Sequence, residues 1–265
     1  MGQPVSGAWR SFARTEAGRV REHNEDAVLE LGAERLWCVA DGMGGHHEGA
    51  HASTLAVATL RGYRASAYRG IALARLESLV RHCNDELLRH ARDRGVDVVG
   101  CTLAVLTMHG RSALASWCGD ARVYRARRGK LLVLTRDHSA GAESDDRDRH
   151  ASPGPVTANR SALTAALGGG QTPQLEHSWF ALEEDDRFLL CTDGLFKEVS
   201  DEEILDHLLT ADSAESAVGA LCARYHARGA RDNVGLVGIA TADRASGTRH
   251  RFPVGAADTH LRDAR

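Results

Sequence analysis

Two stretches of the chain end alike. Leu36-Trp37-Cys38-Val39-Ala40 is an unbroken apolar run that leads into Asp41 and Gly42, and Phe188-Leu189-Leu190-Cys191 leads through Thr192 into Asp193 and Gly194. Such a run suits a strand buried on both faces. A carboxylate at its end stands at the rim of a core, where an unpaired negative charge costs several kcal/mol. One Asp-Gly is ordinary turn chemistry. Its recurrence after a second apolar strand, together with the acidic pair Glu25-Asp26 and with Asp232 in Arg231-Asp232-Asn233, asks for more. Were Asp26, Asp41, Asp193 and Asp232 to converge, charges about 4 Å apart would repel by roughly 4 kcal/mol at an effective dielectric of 20. Cations would remove that conflict, and an all-oxygen donor set favours Mg2+ or Mn2+ over Zn2+. Two such ions about 3.5 to 4 Å apart can share a carboxylate, acidify a bridging water and hold a phosphoryl oxygen for in-line attack. The chemistry implied is hydrolysis.

The elements that must position these residues follow from periodicity. Residues 5–13 and 27–31 read as strands on either side of Arg21 and the acidic pair, and Gly42, Gly44 and Gly45 allow a tight turn and close approach to a ligand. A helix is expected from residue 49 to about 64. A second follows, because Leu76, Leu79, Val80, Cys83, Leu87 and Ala91 recur at helical spacing up to Gly95. Residues 102–108, 112–118, 122–127 and 130–134 predict four strands at short intervals, a meander that needs a second layer to cover it. A charged surface loop is expected at 137–160, with strands resuming at 163–167, 176–182 and 187–192. Two helices then open with capping boxes, Ser200 to Glu203 and Asp212 to Glu215, and Gly229 stops the second. A last strand is expected at 234–240 and a polar tail at 244–265, with one domain over 1–243.

Composition excludes several classes. At 265 residues and 43% hydrophobic content the chain can bury a large core, and a net charge of −3 argues against nucleic-acid binding. No apolar stretch approaches the roughly 20 residues that span a bilayer, and no basic-then-apolar leader opens the sequence. A cytoplasmic protein without a membrane role is expected. The six cysteines include no CxxC and read as reduced core residues.

The motifs taken together resemble a family. Arg21 to Asp26 (RxxNED), Asp41 to Gly45 (DGMGG), Gly100-Cys101-Thr102, Gly119 to Tyr124 (GDARVY), Thr135 to Ser139 (TRDHS), Thr192 to Leu195 (TDGL) and Arg231 to Val234 (RDNV) resemble, in order and spacing, the metal-dependent serine/threonine protein phosphatases of the PPM or type-2C class in their bacterial form. The resemblance implies an α+β fold, a four-layer α-β-β-α sandwich of two central antiparallel sheets flanked by helix pairs. It implies hydrolysis of phosphoserine and phosphothreonine with two Mn2+ or Mg2+ ions and a weaker third. Asp41 would bridge the ions, the Gly42 carbonyl completing one and Asp193 and Asp232 holding the other. Asp120 would bind the third ion, Glu25 and Asp26 would orient water, and Arg21 would grip the phosphate, since a guanidinium pairs with its oxygens bidentately. Segment 137–160 would be the flap that gates substrate. Partners implied are phosphorylated proteins, substrates of a Ser/Thr kinase or the kinase itself, acted on by a monomer. In departure from the family, Met43 stands where many eukaryotic members have a histidine, His51 stands where bacterial relatives commonly have Glu, and His46 is the nearby candidate proton donor.

Two rivals belong to other classes. His47-Glu48-Gly49-Ala50-His51 is a literal HExxH, the zinc-protease signature, but Gly49 weakens the helix it needs and no third ligand follows at an obvious spacing. A catalytically inactive phosphoprotein-binding module on the same fold should have lost carboxylates, and all are present.

Overall fold

Alternation along one strand sets the layers. In the computed structural model, which describes residues 9–44, 47–141, 162–173 and 175–241, strand β3 (Leu36–Met43) serves two cores. Its Leu36, Cys38 and Ala40 pack with helices α1 (Glu48–Leu60) and α2 (Arg69–Arg94), while Trp37 and Val39 face the opposite sheet. That is why the run reads as continuously apolar instead of alternating.

The sheets are antiparallel. One has the order β1 (Trp9–Glu16), β11 (Val234–Thr241), β10 (Arg187–Cys191), β7 (Arg122–Arg127), β8 (Lys130–Val133). The other runs β2 (Asp26–Leu31), β3, β5 (Leu103–His109), β6 (Ser112–Cys118), β9 (Glu176–Ala181), with the two-residue β4 (Gly100–Cys101) pairing the end of β3. Between them lie Trp37, Leu106 and Trp117 from one side and Val123, Phe188, Leu190 and Val237 from the other. The outer face of the first sheet is covered by α4 (Asp201–Thr210) and α5 (Ala214–Arg228), through Ile204, Leu208, Val218, Leu221 and Tyr225. The result is the expected four-layer α-β-β-α sandwich. A one-turn helix, α3 (Asp193–Phe196), follows β10 directly.

Several local expectations need correction. The four strands after α2 are not one meander: β5 and β6 belong to one sheet and β7 and β8 to the other. The crossing falls at Gly119, whose φ of +102° and whose contact with Thr102 leave no room for a Cβ. Residues 163–167 form no strand, only isolated bridges from Leu163 to Ser139 and from Leu167 to Cys101, two partners that cannot continue one ladder. The capping box of α5 is Ser213 with Ser216, one residue later than expected, whereas Ser200 with Glu203 caps α4 as read from the sequence. Of the strand expected at 5–13, residues 5–8 lie outside the described residues, and the described strand runs on to Glu16. His46, most of the 137–160 loop and the 244–265 tail lie outside the described residues.

Both Asp-Gly turns are wedged. A Cβ at Gly42 would lie 1.9 Å from the Gly49 carbonyl oxygen, and one at Gly194 would lie 1.9 Å from the Asn233 carbonyl oxygen. Neither obstacle is a flexible side-chain end, so the backbone would have to move. Gly194→Ala is therefore expected to lower unfolding free energy by about 1 to 3 kcal/mol. Urea denaturation in chelator measures this, and an unchanged midpoint would show that the turn tolerates a side chain.

Candidate metal centre

Strand register brings the acidic residues to one end of the sandwich. Asp26 at the start of β2 pairs directly with Asp41 near the end of β3. In the facing sheet, Cys191 at the end of β10 pairs with Leu236 and with Arg122, so Asp193, Asp232 and Asp120 all stand just beyond the same edge. The two sheets meet there, since a Cβ on Gly235 would touch Val28 and approach an Asp26 oxygen.

Side chains that the sequence reading did not single out fix this edge. Asn233 donates from Nδ2 to the Ala17 and His23 carbonyls and accepts the Glu25 amide at Oδ1, each at 2.9 Å. It ties the Arg21 to Asp26 loop to the Arg231 to Val234 turn. Thr192 donates to Asp26 Oδ2 at 2.7 Å and accepts the Gly235 amide at 2.8 Å. Asn24 Oδ1 accepts the Asp26 amide at 3.1 Å. Thr102 accepts the Asp41 amide at Oγ1 and donates its own amide to the Asp41 carbonyl, at 3.2 and 2.8 Å. All four residues sit inside the recognised motifs, beside or between the acids, and that adjacency was the available signal.

Electrostatics at this edge are unfavourable to several negative charges. Burial raises the Asp26 pKa above the usual carboxylate range, the Thr192 hydrogen bond opposes this, and Asp193 and Asp232 add to the rise. Burial likewise raises Asp41, reinforced by Asp26, Asp193, Asp120 and Asp232. Asp120 is raised to about 6, by burial first and then by Asp193 and Asp137. Asp26 Oδ1 is buried with no hydrogen-bond partner. Buried, mutually repelling carboxylate oxygens, one of them unsatisfied, are a donor set that fits hard divalent cations.

Two basic side chains hold part of this charge. Arg21 forks onto Asp232, Nε to Oδ1 at 2.8 Å and Nη2 to Oδ2 at 3.0 Å, with its side chain half exposed. Lys197, one helical turn beyond Asp193, places its ammonium on Asp193 Oδ2. Among the described residues no group of three or more His, Cys, Asp or Glu side chains is already gathered as an ion needs it. Asp232 and Asp193 are turned toward their basic partners. The structure thus places Asp26, Asp41, Asp193, Asp232 and Asp120 within electrostatic reach of one another, with Arg21 at their rim. A Cβ on Gly49 would meet the Glu25 carboxyl at 2.7 Å and the Gly42 carbonyl oxygen at 2.8 Å, so those two groups flank the same point.

The HExxH residues do not form a zinc site. His47 precedes α1 with φ of +75° and its ring lies against His23, 4.3 Å between centroids. His51 stacks instead on His90 at 4.0 Å. The buried Glu48 carboxylate is held by His90 Nε2 at 2.7 Å and Arg94 Nε at 3.1 Å. The two histidines therefore face different partners, and the glutamate is committed to His90 and Arg94.

Comparison with known proteins shows the family and the fold. The pattern of the family described as Protein phosphatase 2C matches residues 15–230. Serine/threonine protein phosphatase PstP of Mycobacterium tuberculosis is 36% identical over 216 residues, which are 78% of this chain and 40% of PstP. The chain thus spans about 40% of the length of that relative. Among solved structures, PppA of Pseudomonas aeruginosa superposes with a TM-score of 0.83 at 34% identity, covering 90% of this chain and 100% of that one. The catalytic domain of PstP in complex with two manganese ions superposes with a TM-score of 0.77 at 33% identity, over 89% of this chain and 99% of that domain. With the sandwich, the order of the motifs and the acidic edge in place, the chain belongs to the protein phosphatase 2C family.

Proposed function

We propose that this chain is a metal-dependent phosphatase acting on phosphoserine and phosphothreonine in proteins. The observation that carries the reading is the convergence, at one sandwich edge, of carboxylates from five separate segments with their charge only partly compensated. In this reading Asp41, the Gly42 carbonyl, Asp193 and Asp232 would hold two Mn2+ or Mg2+ ions, and Asp120 would hold a weaker third. Bound there, the ions would supply the positive charge that acidifies water and polarises a phosphoryl group. Support for manganese comes from the relative whose structure contains two such ions.

The chain's own residues do the rest. Glu25 and Asp26 would orient water at the edge, Asp26 being held by Thr192 at its carboxyl and by Asn24 at its amide. Arg21 reaches the mouth with half its side chain exposed, and its two-pronged grip on Asp232 is the geometry it would offer a phosphate. Met43 cannot donate a proton, so the leaving oxygen must be protonated by another group. An inactive binding module is not favoured, because no carboxylate of the set is missing.

The substrates proposed are phosphorylated proteins, targets of a Ser/Thr kinase or the kinase itself, met by a monomer. The relatives' names support the class. A cytoplasmic setting suits six cysteines buried as thiols. Among the described residues no helix is long and apolar enough to cross a membrane.

Two outcomes test this. Hydrolysis of a simple aryl phosphate should require added Mn2+ or Mg2+ and stop in chelator, and Asp41→Asn and Asp193→Asn should each abolish turnover while remaining folded. Full activity in chelator, or wild-type rates in either variant, would refute the reading. Arg21→Ala should lose roughly 10- to 150-fold in kcat/KM, as expected for a charge-assisted contact of about 1.5 to 3 kcal/mol, with Arg21→Lys in between. Metal affinity should not fall, because Arg21 binds Asp232 in competition with an ion. An Arg21→Ala variant impaired only through weaker metal binding would show that Arg21 is not the phosphate grip.

A further inference from the structure

The metal centre proposed above, on which this inference rests, carries its own counter-ion. Lys197 follows α3, and its backbone N–H donates to the Asp193 carbonyl at 3.1 Å, which fixes its position one turn beyond that residue. From there the ammonium meets Asp193 Oδ2. The side chains differ in freedom: Asp193 is 13% exposed and Lys197 50%. Asp120 and Asp232 also lie within electrostatic reach of the ammonium. Arg122, the next basic residue after Asp120, is committed elsewhere. Its guanidinium forks onto Asp137 at 2.9 and 2.7 Å and stacks on the Phe196 ring at 3.8 Å.

We infer that Lys197 is a tethered competitor for divalent cations at the Asp193 and Asp120 side of the centre. Its ammonium covers a carboxylate oxygen that an incoming ion needs, and the flexible stem lets it swing toward solvent when the ion arrives. A compact single charge on four rotatable carbons suits such a task, because it relieves repulsion among buried carboxylates yet yields to a double charge. Lys197 is a positioning residue here, holding Asp193 and tuning ion affinity without touching substrate.

This role predicts effects of opposite sign in two measurements. Neutralising Lys197 should strengthen ion binding and weaken the metal-free fold, whereas a residue that merely stabilises the α3 turn would weaken both when replaced. The test uses the full chain, stripped with chelator and dialysed, as wild type, Lys197→Met, Lys197→Gln and Lys197→Arg. Mn2+ titration by isothermal calorimetry should give a Kd about 3- to 10-fold lower for the Met and Gln variants and close to wild type for Arg. Thermal melting in chelator should place Met and Gln below wild type, with Arg near it. Unchanged or weaker Mn2+ binding in Lys197→Met and Lys197→Gln, with wild type binding normally, overturns the inference alone. Absence of Mn2+ binding in all four proteins overturns the metal-centre reading and the inference together.

Discussion

Negative charge gathered at one edge of a packed sandwich is the constraint on which the rest depends. Asp26 and Asp41 face each other across β2 and β3, and Asp193, Asp232 and Asp120 come to the same edge from the other sheet. Burial and repulsion from neighbouring carboxylates disfavour the ionised forms of Asp26, Asp41 and Asp120. The sequence resolves the conflict partly with Arg21 and Lys197 and leaves Asp26 Oδ1 with no partner. What remains is an edge that, on the proposed reading, would gain stability by taking up cations.

Rigidity and freedom are divided accordingly. Asn233 holds the Glu25 amide, Asn24 the Asp26 amide, Thr102 the Asp41 amide and Thr192 the Asp26 carboxyl, while Gly42 and Gly194 are wedged against carbonyl oxygens. Their counter-ions, by contrast, are long side chains about half in solvent. On the proposed reading, fixed carboxylates with displaceable counter-ions would let the site exchange an internal salt bridge for an ion without refolding. Glu48 in the HExxH segment has both carboxylate oxygens bonded, Oε2 to His90 and Oε1 to Arg94.

Much of this was legible in the sequence. Leu36 to Ala40 and Phe188 to Cys191 announced strands buried on both faces because both faces do meet a core. The Ser200 to Glu203 box and Gly229 marked real helix ends because capping is local chemistry. The meander failed because β5 and β6 are buried on both sides, so alternation carried no information about which sheet they join. Residues 163–167 failed because their pairing depends on Ser139 and Cys101, contacts that periodicity cannot see. At the site, the acids were legible by type and spacing, whereas Asn233 and Thr192 act through distant partners and Lys197 through a helical turn of only four residues. Spacing places a residue near a strand end; only the register of two sheets says what it meets there.

The stability of Asp41→Asn tests most directly whether this edge is held at a cost that cations relieve. Urea unfolding of wild type and Asp41→Asn should be compared at mildly alkaline pH, once in chelator and once in saturating Mn2+. In chelator the neutral amide should make the variant more stable than wild type, by on the order of 1 to 2 kcal/mol, because a buried repelling charge is removed. In Mn2+ the order should reverse, since only wild type gains the ion. An Asp41→Asn protein less stable than wild type in chelator would contradict the account, for it would mean that the ionised carboxylate is already satisfied by the chain itself.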